Sequence, residues 1–88
     1  MFFVYMVKNS INKLYVGVTE NPTDRVWYLN QKRGAKFTKY KTDFEIVFLE
    51  EYFTLAEARN REIQIKKWRR DKKETLIKRY QNGLTTKI

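Results

Sequence analysis

The sequence contains no cysteine and no histidine. Without cysteine there is no disulfide framework and no thiolate metal site. Without histidine, most zinc sites, Ser-His-Asp triads and imidazole general bases are excluded. Acid–base chemistry then falls to Asp, Glu, Lys, Tyr or metal-bound water. Long apolar runs are also missing. The apolar opening, residues 1–7, is too short for a signal peptide and lacks the basic flank and cleavage site, and no stretch approaches the roughly 20 apolar residues of a membrane span. The default expectation is a cytoplasmic protein with no membrane association. Acidic residues are scarce: 10 Asp and Glu against 19 Lys and Arg leave a formal net charge of +9 on 88 residues. A field of that size concentrates polyanions near the surface.

What is present argues for one folded domain, with residues 83–88 as a tail beyond a domain of residues 1–82. A hydrophobic content of 42%, with six Phe, six Tyr and two Trp, is too high for a disordered chain and sufficient for a single small core. Residues 2–7 form a continuous apolar and aromatic run, read as a buried strand. A polar turn at 9–13 and the stretch Leu14-Tyr-Val-Gly-Val-Thr19 complete a β-hairpin. Gly17 interrupts the second strand, which marks a bulge or a close approach of another group. Asn21-Pro22, with Asp24 in the first turn, starts a helix expected to reach about Lys32 and to end before Gly34. A loop through residue 43 leads to a third strand at 44–50. Thr54 and Glu57 have capping-box spacing for a second helix, and Asp71 with Glu74 repeats that signature for a third, running to about Gln81 and ended by Gly83. Leu84 to Ile88 is expected as a loose tail. The result is an α+β fold, a small three-stranded sheet covered by three helices.

Glu62 breaks the pattern of the second helix. At about 3.6 residues per turn, Leu55, Ala58, Glu62 and Ile65 share a stripe flanked by Ala56 and Ile63, so the carboxylate lies within the apolar face. Its desolvation has to be offset by a cation, a metal ion or hydrogen bonds. An ion pair with Arg25 of the first helix is one such arrangement and a metal site is another. Between Arg59 and Arg79, ten Lys and Arg surround only Glu62, Asp71 and Glu74. A solvated basic face is the plain reading of such a run, but the interleaved Trp68 and the missing acids point to nucleic acid.

Val4-Tyr5-Met6 followed by Tyr15-Val16-Gly17 resembles the paired signature of the GIY-YIG nucleases, with Val4 and Met6 departing from its glycine and isoleucine. The likeness continues through Arg25, Gly34-Ala-Lys-Phe-Thr38 and Ala58-Arg-Asn-Arg-Glu62-Ile-Gln-Ile-Lys-Lys-Trp68, most closely to the small stand-alone bacterial members. The resemblance implies a three-stranded antiparallel sheet flanked by helices and a metal-dependent endonuclease acting on DNA. In the family such enzymes serve homing, repair, restriction and junction processing. Position by position, Glu62 matches the metal-binding carboxylate, Arg25 the arginine on the phosphate, and Tyr5 and Tyr15 the tyrosines that activate or position water. Gly17 is the motif glycine.

A single carboxylate ligand suits Mg²⁺ or Mn²⁺, which retain waters and use substrate oxygens. Lys36, Lys39, Lys66, Lys67, Arg69 and Arg70 are the phosphate-contact candidates, and contacts of that kind leave sequence specificity low unless a protein partner supplies it. Leu29 stands where the family commonly has histidine, and leucine neither accepts a proton nor holds water. The alternative is therefore a nucleic-acid-binding module with weak cleavage or none.

Overall fold

The computed structural model describes residues 1–31 and 43–88. Lys36, Lys39 and the rest of the expected loop from 34 to 42 lie outside the described residues. The elements follow the order β1 (Phe2–Lys8), β2 (Leu14–Thr19), α1 (Pro22–Asn30), β3 (Glu45–Tyr52), α2 (Leu55–Lys66) and α3 (Arg70–Gln81). The sheet order is β2-β1-β3, antiparallel throughout, which is the α+β arrangement the sequence implies. β1 is central and covered on both faces, which explains its unbroken apolar run: Val4, Tyr5, Met6 and Val7 are all buried. The hairpin turn is closed by the Lys13 amide donating to Asn9 Oδ1 at 2.8 Å, with Asn12 at φ 69°, a left-handed conformation that asparagine tolerates.

Alternation along β1 separates two cores. Val4 and Met6 pack with Phe48, Ala58, Ile65, Leu76 and Ile77 on the face under α2 and α3. Tyr5 and Val7 pack with Phe44, Val26, Leu29, Ile46 and Leu49 on the face under α1. A register shift between Met6 and Val7, opposite Phe48 and Ile46, places a bulge at Val47. The bulge sets Val47 and Phe48 consecutively on the α2–α3 side, so that Leu49 and Glu50 resume the alternation in register with β1. Gly17 is not a bulge: it pairs regularly with Tyr5.

Local capping chemistry sets most helix ends. Asn21 Oδ1 accepts from the Asp24 amide at 3.1 Å, as its sequence position predicts. α1 stops at Asn30, short of Lys32, and the Asn30 side chain accepts from the Phe44 amide at 2.8 Å while donating to the Phe44 carbonyl at 3.1 Å. That two-way clamp holds the entry to β3 beside α1. The Thr54–Glu57 capping box forms. On α3 the expected second box does not: the N-cap is Arg69, with no side-chain cap, because the Glu74 carboxylate is held by Lys8 and Arg70, each at 2.7 Å. Gly83, at φ 70°, ends α3 in a Schellman arrangement, its amide donating to the Tyr80 carbonyl and the Leu84 amide to that of Arg79.

Two expectations are corrected on α2 and the tail. Leu55 and Ile63 are exposed, and Arg61 joins Ala58, Glu62 and Ile65 on the buried side. The stripe is rotated because Arg61 finds partners: Nε and Nη2 donate to the Glu50 carboxylate at 2.9 and 3.3 Å, and Nη1 to Gln64 Oε1 at 2.7 Å. The residues after Gly83 are not loose. They return to this cluster, with Arg61 donating to the Thr86 and Ile88 carbonyls at 2.7 and 3.0 Å and Thr86 Oγ1 to Glu50 at 2.6 Å.

Candidate nuclease site

The hairpin and α1 build the first half of the site. Tyr5 pairs with Gly17 and Val7 with Tyr15, so the side chains of Tyr5 and Tyr15 and the open Cα of Gly17 share the face that α1 covers. The Tyr5 ring is buried, lying flat across Gly17. Arg25 stands one turn into α1, where Nε donates to the Tyr5 hydroxyl at 3.1 Å. The hydroxyl oxygen accepts from Arg25, so the phenolic proton is not used in that bond. Among the described residues this is the only side-chain hydrogen bond of Arg25, whose guanidinium also lies 5.5 Å from the Tyr28 ring centroid, so both Nη groups are available to an anion. Tyr15 is half-exposed, its ring tilted against Phe44 at 5.4 Å. Leu29 packs into the Tyr5–Val7–Phe44 cluster as an apolar neighbour.

Glu62 enters from the other layer. Its helix neighbours Ala58 and Ile65 pack on Val4 and Met6, while α2 also packs along β2, the edge strand carrying Tyr15 and Gly17. Arg61 reaches toward β3 through Glu50. Glu62 lies about 100° further round the helix from Arg61. The carboxylate is only 8% exposed, and its oxygens meet Arg59 Nη1 at 3.2 Å and Lys66 Nζ at 3.1 Å. The structure thus unites Tyr5, Gly17 and Arg25 directly and sets Tyr15 on their face. No hydrogen bond or ion pair among the described residues joins Glu62 to them, and the ion pair with Arg25 considered from sequence is not formed.

The basic residues divide. Lys67, at the C-cap of α2, and Arg69 are exposed, the latter 3.8 Å from Asp71. Arg70 instead ties α3 to the hairpin, donating to Glu74 and, through Nη2, to the Asn12 carbonyl at 3.0 Å. Arg59 went unnoticed in the sequence, although its i,i+3 spacing to Glu62, like the i,i+4 spacing of Lys66, was readable. The Glu50–Arg61 cluster had no local signal. Burial pushes the Glu50 carboxyl up, but hydrogen bonds from Arg61, Thr86 and Tyr52 outweigh it and hold the group below its ordinary range. Burial, and then the bond to Glu50, push the Tyr52 hydroxyl up to about 12.

Among the described residues no three His, Cys, Asp or Glu side chains gather as a ready-made metal cage. The donor set fits a different coordination: the Glu62 carboxylate is the single protein ligand that a hard, hydrated divalent cation can use, although its two oxygens are here paired with Arg59 and Lys66.

The domain is a basic α+β fold with an arginine set against a tyrosine hydroxyl on one side of the sheet and a buried carboxylate, Glu62, on a helix of the other. The chain belongs to the GIY-YIG family: the sequence model of the GIY-YIG catalytic domain matches residues 1–75. Similar proteins are the UPF0213 proteins of Staphylococcus aureus strains Mu3, Mu50 and N315, each 43% identical over 76 residues, which is 86% of this chain and 93% of theirs. No solved structure matches the chain. GIY-YIG proteins are endonucleases that typically use divalent metal ions.

Proposed function

We propose that the protein is a metal-dependent DNA endonuclease of low intrinsic sequence specificity, cytoplasmic, acting on DNA that includes branched or damaged forms. The observation that carries the reading is the Arg25–Tyr5 hydrogen bond over Gly17, which fixes a guanidinium and a phenol side by side with neither Nη donor engaged among the described residues. Arg25 Nη groups hold the non-bridging oxygens of the scissile phosphate and meet the charge that grows on them in the transition state. Tyr5, its oxygen held by Arg25, presents its proton-bearing side to the attacking water and orients it. Tyr15, half-exposed on the same face, holds that water or the neighbouring phosphate. Glu62 is the residue that would hold Mg²⁺ or Mn²⁺. Such an ion, when bound, supplies Lewis acidity at the phosphoryl oxygen. Lys66, Lys67 and Arg69 make phosphate contacts in this reading, which position the strand without reading bases.

The test is incubation with branched, nicked and duplex DNA in Mg²⁺ or Mn²⁺, comparing wild type with Glu62→Gln and Tyr5→Phe. Metal-dependent products from wild type, reduced by about a hundredfold or more in each variant, support the reading. A second reading, a nucleic-acid-binding module without cleavage, is favoured by one observation: Leu29 fills its position with apolar packing. Salt-sensitive binding with no product on any substrate would establish that reading instead.

A further inference from the structure

The two oxygens of Glu62 are held by different cations of its own helix, Oε1 by Arg59 and Oε2 by Lys66. The carboxylate is 8% exposed, whereas Arg59 and Lys66 are 55% and 53% exposed. Glu62 therefore lies under two long basic side chains whose charged ends reach solvent. Pairs of that exposure are individually weak and rotamer-rich, so a better anion displaces them. The local charge explains what the pairing does. One carboxylate between two cations sums to a net positive charge, and an approaching divalent cation meets repulsion as well as two engaged oxygens. A nucleic-acid backbone reverses both conditions. Arginine takes a phosphate through its planar fork and lysine takes one as a point charge. With both drawn to phosphates, the carboxylate oxygens are open and the phosphates make the surroundings net negative.

We infer that Arg59 and Lys66 form a substrate-operated latch on Glu62, released by phosphate contact, so that the carboxylate becomes an effective ligand for a divalent cation only when nucleic acid is bound. The inference rests on the proposed role of Glu62. It assigns Arg59 and Lys66 a positioning role through Glu62. By linkage, nucleic acid and cation then tighten each other's binding by the same factor.

The experiment measures Mn²⁺ binding by the paramagnetic resonance of free Mn²⁺, on the Tyr5→Phe background so that DNA stays intact, with and without a short DNA duplex. Glu62→Gln in the same series subtracts the Mn²⁺ held by DNA itself. The duplex is expected to tighten Mn²⁺ binding by at least about fivefold. Arg59→Gln and Lys66→Gln, both at exposed positions, are expected to tighten it without DNA and, combined, to abolish most of the DNA effect. Arg59→Lys, which keeps the charge, retains the coupling. Unchanged or weaker Mn²⁺ binding in the two Gln variants, or an equal DNA effect in their combination, overturns the latch. If metal-dependent cleavage is meanwhile lost in Glu62→Gln, the proposed function stands and only the latch falls. If Glu62→Gln binds Mn²⁺ like its parent with and without DNA, Glu62 is not the ligand and both fall.

Discussion

A Cβ at position 17 would fall 2.6 Å from the Tyr5 hydroxyl oxygen and 2.7 Å from Cζ of the same ring. The glycine of β2 is therefore the floor on which the Tyr5 ring lies, and its conformational freedom is not the point. The ring is buried and its oxygen is fixed by Arg25, so the clash cannot be relieved by a small side-chain swing. Gly17→Ala is expected to destabilise the fold by about 1–3 kcal/mol through overpacking, although alanine would suit a strand better than glycine. Urea denaturation measures that loss. The Arg25 Nε–H resonance should shift as the Tyr5 bond lengthens.

Tyr5 and Tyr15 should separate cleanly by variant. Tyr5→Phe removes the acceptor of the Arg25 Nε–H, and since Arg25 is only half-buried, water replaces it at a cost of about 1 kcal/mol. Cleavage should fall by about a hundredfold or more if the phenol orients the water. Tyr15→Phe removes a hydroxyl with no hydrogen bond among the described residues, and stability should change by less than about 0.5 kcal/mol. Single-turnover cleavage beside a denaturation curve for each variant checks both statements.

How much of this was legible depends on distance along the chain. Asn21-Pro22, the Thr54–Glu57 box and the hairpin were readable because cap and partner lie within a few residues. Periodicity found Glu62 on the buried side of α2 but left the rotation of the stripe open. Leu55 and Ile63 were placed inward, while the helix turns Arg61 in because Glu50 and the Thr86 and Ile88 carbonyls receive it. Those partners come from a strand and from the chain end, and no local pattern announces such a meeting. The failed cap at Asp71 and Glu74 has the same cause, since Lys8, 66 residues away, takes the glutamate. The family resemblance implied that Tyr5 and Arg25 belong to one site but not the hydrogen bond between them, whereas the Arg59 and Lys66 pairing of Glu62 could have been read from helix spacing alone.

The Glu50–Arg61 pair makes stability depend on pH at both ends. The Glu50 carboxyl is held below its ordinary value of 4.5, so its contribution is complete above that value and is lost as pH falls through the lowered folded value. The Tyr52 hydroxyl is raised from 10.0 to about 12, so its contribution is complete below 10.0 and is lost as pH rises toward about 12. Urea midpoints across the pH range should fall in both windows, and Glu50→Gln should flatten the acid one. Arg61→Ala leaves Glu50 buried without its cation and is expected to cost about 3–5 kcal/mol at neutral pH.

Truncation after Leu84 tests the docked chain end. It removes two carbonyl acceptors from Arg61 and the Thr86 hydroxyl from Glu50, while leaving the Glu50–Arg61 pair and the Gly83 cap in place. With the Arg79 Nε bond to the Thr85 carbonyl at 2.6 Å, four bonds to charged groups are lost, but water enters where the tail leaves, so the expected destabilisation is about 1–3 kcal/mol, less than for Arg61→Ala. Equal stability of the truncated and full chains in urea would mean the tail contributes nothing to the pair it covers.

Leu29 decides between a packing role and a chemical one at the position where the family commonly has histidine. Its side chain joins the cluster of Tyr5, Val7 and Phe44, so it supports the Tyr5 ring from the α1 side. Leu29→Ala should remove apolar contacts at a partly buried site and cost about 1–3 kcal/mol, below the range for a fully buried leucine because water can reach the gap. If leucine contributes packing only, single-turnover cleavage by the folded fraction should change less than about tenfold, equivalent to about 1.4 kcal/mol of barrier. Leu29→Met, which conserves volume, should restore both stability and rate. A loss of cleavage that Met does not rescue would show that the site depends on leucine's shape beside Tyr5 in a way that packing alone does not explain.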